Sequence, residues 1–207
     1  IDYRLAPKWV YPAAIEDACA AFTWVVENGG AYGADAQRIV VAGESAGGNL
    51  ALGVTLATCF ERPESWAQSV FDTGVVPIAT LPACPLLEVS SVDRYDAQGA
   101  AVHFERGILN DVRLSYAPYL QPHPEQPTLA DPLLILESDA RPRRPIPPMC
   151  TVVGTWDCLK ADSQRLDTVL SARGVRSQAH YYSRGLHAFH AFVFLESARQ
   201  CWRDQFE

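Results

Sequence analysis

Ile39-Val40-Val41-Ala42-Gly43-Glu44-Ser45-Ala46-Gly47-Gly48-Asn49-Leu50 is the stretch on which the reading of this chain turns. The β-branched run from Ile39 to Ala42 has the pattern of a strand covered on both faces, and such strands belong to parallel sheets. It leads into Gly43-Glu44-Ser45-Ala46-Gly47, a G-x-S-x-G sequence, and the residues from Asn49 to about Phe60 are small and apolar, as in a packed helix. Strand, sharp turn and helix in that order form the setting that displays a nucleophilic serine above a sheet. Glycines at 43 and 47 are expected because larger side chains would collide at the bend. The helix starting there offers free backbone N–H groups to developing negative charge. A glycine-rich turn could instead be simple punctuation or a phosphate loop, but neither G-x-G-x-x-G nor G-K-[ST] is present.

Outward from this turn, the chain alternates strand and helix patterns. Residues 1–5 read as a strand end, followed by a loop that Pro7 and Pro12 keep irregular. Ile15, Ala18, Cys19, Phe22, Val25 and Val26 recur at helical spacing until Gly29-Gly30. A second strand with irregular ends is expected within 75–87, a third over 149–154 and a fourth over 178–182. Helices are expected over 161–172, closed by Gly174, and over 191–206. Residues 88–144 mix charges and prolines, with two short helix candidates near 107–119 and 131–136, and read as a lid-side excursion. The rhythm predicts an α/β fold: one domain over 1–207, with an open, mostly parallel sheet and helices on both faces.

Composition narrows the function. The 207 residues are 48% hydrophobic and 20% charged, an ordinary globular balance that rules out a disordered or fibrous chain. Seventeen Lys and Arg against twenty-four Asp and Glu leave a net charge of -7, with no basic cluster to follow a phosphate backbone, so no nucleic acid partner is expected. The longest apolar stretches are too short to span a bilayer, so the expectation is a soluble protein with no transmembrane segment. Six scattered cysteines without a C-x-x-C pair argue for reduced thiols rather than disulfides or a metal site, and favour the cytoplasm.

A serine hydroxyl needs a base, and the base needs a carboxylate to fix its tautomer. In this sheet type the chain order is Ser, acid, His. Of the five histidines, His103 and His123 precede the expected acid and His180 sits within a strand. His187 and His190 remain; His187 lies in the turn after the last strand and is preferred, with His190 in support or at the surface. Asp157, in Gly154-Thr155-Trp156-Asp157, lies just beyond the carboxyl end of a strand, where active-site groups gather in open α/β sheets. Asp162 competes, although helix capping or the helix dipole explains it.

Several segments together resemble the hormone-sensitive-lipase-like branch of the α/β-hydrolase carboxylesterases. They are Asp2-Tyr3-Arg4-Leu5-Ala6-Pro7, Tyr11-Pro12-Ala13-Ala14 with Glu16-Asp17, and Gly43-Glu44-Ser45-Ala46-Gly47-Gly48-Asn49-Leu50. Asp157-Cys158-Leu159 resembles that family's D-x-L and His187-Ala188-Phe189 its H-G-F. The resemblance implies a serine carboxylester hydrolase acting on short to medium acyl esters, with no metal or organic cofactor. It further implies Ser45, Asp157 and His187 as catalytic residues, Ala46 as an oxyanion-hole donor, and Gly43, Glu44 and Gly47 as the nucleophile elbow. Many members of the family form a homodimer through the last strand.

The sequence departs from that pattern at Lys8, where the family usually has Glu, and at Ala188, where it has glycine. It also carries no H-G-G segment, the family's main source of oxyanion donors; losing such a donor costs roughly 100- to 1000-fold in rate. By the same analogy the chain is expected to lack the family's early strands, to be N-terminally incomplete or completed by a companion segment, and to leave an unpaired, apolar sheet edge. Two other readings stand beside the esterase: a non-catalytic binding protein of the same fold, and a peptidase or amidase.

Overall fold

The computed structural model describes residues 1–97, 107, 109–110, 112–113 and 127–206. Its centre is a four-stranded parallel sheet in the order β1 (Val40–Glu44), β2 (Ala79–Ala83), β3 (Met149–Gly154) and β4 (Ser177–Tyr182). Spatial order follows chain order, and because every pair is parallel the loops after all four strands open on one end of the sheet. That end receives Ser45, Cys84, Asp157 and His187.

The strand side chains alternate between two cores, as a period of two requires. On one face, Met149 joins a core built from α1 (Ala13–Asn28), α2 (Ala46–Cys59), α3 (Ser65–Asp72) and α6 (Lys160–Ala172). On the other, Val152 packs with Ala83, Phe189 and Cys201, the last on α7 (Glu196–Phe206). The expected α/β architecture, a parallel sheet with helices on both faces, is therefore present. A third cluster, containing Leu86, Val89, Tyr95, Ala130, Cys158 and Leu159, roofs the carboxyl end of the sheet. It ties the loop after β2, which continues into α4 (Arg94–Ala97), to the loop after β3 and to α5 (Pro132–Glu137).

Several sequence expectations need correction. Residues 1–5 are not a strand: Arg4 N–H donates to Asp17 at 2.8 Å and the guanidinium pairs with Glu16 and Asp17, so this segment is held on α1 rather than in the sheet. β1 is not covered on both faces; it ends the sheet order, and Val40 is 47% exposed. Between β1, α1 and α2 runs an open apolar groove of about 440 Å³, lined by Tyr3, Phe22, Val25, Val40, Ala42 and Leu50 among others. This is the unpaired apolar edge that the sequence leads one to expect.

The last helix is shorter than 191–206. Phe189–Ala191 is a 3₁₀ turn, and the bonds from Val193 N–H to Ala191 O and Leu195 N–H to Phe192 O belong to turns, so the α-helical ladder starts only at Glu196. The helix over Ser65–Asp72 lies in a stretch to which the sequence reading gives no element. The candidate near 131–136 is present as Pro132–Glu137, while the one near 107–119, with His103 and His123, falls wholly or mostly outside the described residues. Among the described residues, no helix is long and apolar enough to cross a membrane.

Candidate active site

Ser45 stands between β1 and α2 with φ 56° and ψ -115°, a conformation that costs a non-glycine residue on the order of 1–3 kcal/mol. The elbow is fixed from two sides: Ser45 N–H donates to Ala83 O at 2.9 Å, and Ser45 O accepts from Leu86 N–H at 3.3 Å. The bend is so tight that a Cβ on Gly43 would sit 2.1 Å from Gly47 O, which excludes any side chain there. The steric argument fails at Gly47, whose Cβ would meet nothing within 4 Å. The second crowded glycine is Gly48, where a Cβ would press on Pro85 at 2.9 Å. Ala46 opens α2, so its N–H lies outside the helix's own ladder and is available to a ligand at Ser45.

His187 follows β4 in a loop that reaches back across β3 and β2. Its stem is locked to the β3 loop: Arg184 N–H donates to Thr155 Oγ1 at 2.9 Å and Trp156 N–H to Gly185 O at 3.0 Å. Gly154 and Gly185 make this approach possible, since a Cβ on Gly154 would fall 2.0 Å from Gly185 O. Ala188, which occupies the position of the family's glycine, takes a left-handed φ of 57°, at a cost of about 1–2 kcal/mol. The turn that follows aims the imidazole inward.

The result is a continuous relay. His187 Nε2 lies 3.0 Å from Ser45 Oγ, and His187 Nδ1 lies 3.0 Å from Asp157 Oδ2. The other Asp157 oxygen accepts Leu159 N–H at 2.8 Å, which fixes the carboxylate plane. Asp157 and His187 are 3% and 7% exposed. Burial of the ring pushes the His187 pKa down, but the hydrogen bonds to Asp157 and Cys84 and their charge interactions outweigh it, so the imidazole is held above its ordinary value. With Nδ1 donating to Asp157, Nε2 carries the lone pair toward Ser45, as proton removal from the hydroxyl requires.

The competing residues have other roles. Asp162 is in the first turn of α6, yet it does not cap that helix. It is fully buried and accepts Leu87 N–H at 2.7 Å, Tyr95 OH at 2.5 Å and the Arg94 guanidinium at 2.7 Å, which holds the loop after β2 against α6. His180 remains in β4. His190 is neither at the surface nor in reach of Ser45: it is 2% exposed, and its Nε2 meets Glu44 Oε2 at 2.7 Å. That hydrogen bond lowers the Glu44 carboxyl pKa, and the nearby His187 adds to the effect.

Two residues of the site are not singled out by sequence reasoning. Asn49 Nδ2 donates to Leu86 O at 2.8 Å and Ala130 O at 2.9 Å, bolting α2 to the roof of the site. Cys84, at the end of β2 with φ 34°, places its thiol against His187 and keeps it protonated through burial. Its position just past a strand's carboxyl end was the available signal. Cys84, Asp157 and His187 bring their donor atoms within 4.8 Å of one another, the one group of metal-ligating type among the described residues. Two of its members are already bonded to each other, so the set fits a proton relay at least as well as an ion.

Known proteins resemble this chain in sequence and in fold. A family model described as alpha/beta hydrolase fold matches residues 1–191. The chain is 32% identical over 201 residues to esterase LipI of Mycobacterium tuberculosis, covering 91% of this chain and 54% of that protein. It is 45% identical over 122 residues to the hormone-sensitive lipase of Mus musculus, covering 51% of this chain and 15% of the lipase. The hyperthermophilic esterase of the archaeon Pyrobaculum calidifontis superposes with a TM-score of 0.77 at 27% identity, over 97% of this chain and 61% of that one. An esterase of the bacterial hormone-sensitive lipase family superposes with a TM-score of 0.71 at 26% identity, over 97% and 60%. The chain thus spans about half the length of LipI and three-fifths of these solved esterases.

Proposed function

The chain belongs to the alpha/beta hydrolase family, in its hormone-sensitive-lipase-like branch, and from that premise we propose that it acts as a serine carboxylester hydrolase. Ser45 Oγ attacks the acyl carbonyl while His187 Nε2 takes its proton. Asp157 holds the resulting imidazolium in place through Nδ1. The oxyanion of the tetrahedral intermediate is met by Ala46 N–H. His187 then delivers the proton to the departing alcohol, leaving an acyl-enzyme on Ser45. Water, activated by the same imidazole, releases the carboxylic acid and restores the serine.

The observation that carries this reading is the Ser45–His187–Asp157 relay, with both links at 3.0 Å and its members drawn from three separate loops. Short to medium acyl esters are the proposed substrates, and residues 1–207 the proposed part of one catalytic domain, with 88–144 on its lid side. Among the described residues β4 is paired on one edge only, which fits a homodimer formed through that strand. No step requires a cofactor.

The test is fluorophosphonate labelling read by mass spectrometry, beside hydrolysis of p-nitrophenyl butyrate. Label confined to Ser45, and loss of turnover by about 10⁶-fold in Ser45→Ala, are the expected results. Full activity in Ser45→Ala would sink the proposal. Folded protein that binds esters without labelling or turnover would favour the non-catalytic reading.

A further inference from the structure

The two halves of the relay come from opposite edges of the described sheet: Ser45 follows β1, His187 follows β4, and β2 and β3 lie between. The stem of the His187 loop is anchored at β3 by Thr155 and Trp156. Its far end is held by Trp202 Nε1–H on His190 O and by the Ala188 backbone on the Cys84 thiol. Across the gap, two side-chain hydrogen bonds join the elbow to the loop among the described residues. One is the Ser45–His187 contact itself. The other is Glu44 with His190, residues 146 positions apart in the chain, the first adjacent to Ser45 and the second one short turn beyond His187.

His190 is held as a structural part is held. Phe189 and Trp202 pack edge-on against its ring at centroid distances of 5.7 and 5.6 Å. Trp202 Nε1–H, on α7, donates to His190 O at 2.9 Å. The side chain is 3% exposed, whereas that of Glu44 is 45% exposed. A flexible, half-exposed carboxylate has been drawn onto a rigid, buried imidazole, and because an ionised carboxylate only accepts, His190 Nε2–H is the donor.

We propose that His190 is a positioning residue: through its bond to Glu44 it ties the far end of the His187 loop to the nucleophile elbow and sets the Ser45–His187 separation. The inference rests on the esterase reading for its consequence in rate, but not for its geometry. The tether acts on alignment of the proton transfer rather than on substrate binding. Misplacement of a reacting group by about 1 Å costs on the order of 100-fold in rate, so kcat rather than KM carries the effect.

The experiment compares wild type, His190→Ala, His190→Gln and Glu44→Ala in the purified protein. Each is followed by kcat and KM for p-nitrophenyl butyrate, thermal midpoint, and a crystal structure. His190→Ala and Glu44→Ala are expected to lower kcat by about 10- to 100-fold with KM changed less than about twofold. His190→Gln, whose amide can still donate to Glu44, is expected to recover kcat to within about threefold of wild type. A purely structural His190 predicts instead that kcat tracks the folded fraction and that glutamine rescues nothing; either result overturns the tether. Unlabelled, inactive wild type would sink the esterase reading alone. The tether is then decided by the Ser45–His187 separation in His190→Ala: lengthened supports it, unchanged at 3.0 Å refutes it.

Discussion

In the proposed mechanism, a hydrogen bond between a buried carboxylate and a buried imidazole sets where the reaction can run on the pH scale. His187 must be neutral at Nε2 to accept the Ser45 proton, and its pKa stands above the ordinary histidine value because the interactions with Asp157 and Cys84 outweigh desolvation. Activity should therefore rise with pH, and the acid limb of kcat/KM should have its midpoint above about 6.5. Asp157→Asn removes the charge that favours the imidazolium, so the midpoint should move down while kcat falls by about 10⁴-fold. A pH–rate profile of both proteins checks the sign; a midpoint that stays fixed in Asp157→Asn would mean that another group sets the limb. At the same scale, Ser45 and Ala188 both sit at positive φ without being glycine, one at each end of the proton transfer. The strain is concentrated where the geometry must be met.

At the scale of elements, α2 matters more than its sequence suggests. It carries Ser45 at its mouth and is almost wholly buried, so any slip along its axis would displace the nucleophile. Asn49, one turn in, stops that slip by donating to two carbonyls, one after β2 and one before α5. Asn49→Ala leaves both carbonyls buried without a donor and should destabilise the protein by about 2–3 kcal/mol, read as a lower urea midpoint at unchanged m-value. A loss below about 0.5 kcal/mol would show that the roof re-forms without it. Asp162 does the equivalent for α6, binding Leu87, Tyr95 and Arg94, and the loop that presents Asp157 lies directly before that anchored turn.

For the molecule as a whole, the sheet is protected unevenly. β2 and β3 have neighbours on both sides, whereas β1 has only β2 and borders an apolar groove. Hydrogen exchange should therefore be slowest in β2 and β3 and faster by at least about tenfold at β1. Equal protection at β1 would mean that another strand or a second molecule covers that edge. Much of this architecture was legible in the chain itself. The strand before the G-x-S-x-G turn, the turn itself and the helix after it are local: hydrophobic period and glycine sterics act between near neighbours, and Ile39 to Leu50 states them in twelve residues. The preference for His187 over His190 and Asp157 over Asp162 comes from chain order, position past a strand end and family resemblance, whereas the partners of His190 and Asp162 are not legible in the sequence. The sequence reads His190 as a supporting or surface residue and Asp162 as a helix cap or dipole partner, because the groups that they meet, Glu44, Leu87, Tyr95 and Arg94, lie 67 to 146 positions away. Sequence by itself determined which elements form and which residue types the chemistry needs. Only the tertiary structure decided which buried polar groups meet, since a buried donor or acceptor must find a partner wherever the fold brings one, and distance along the chain does not say where that is.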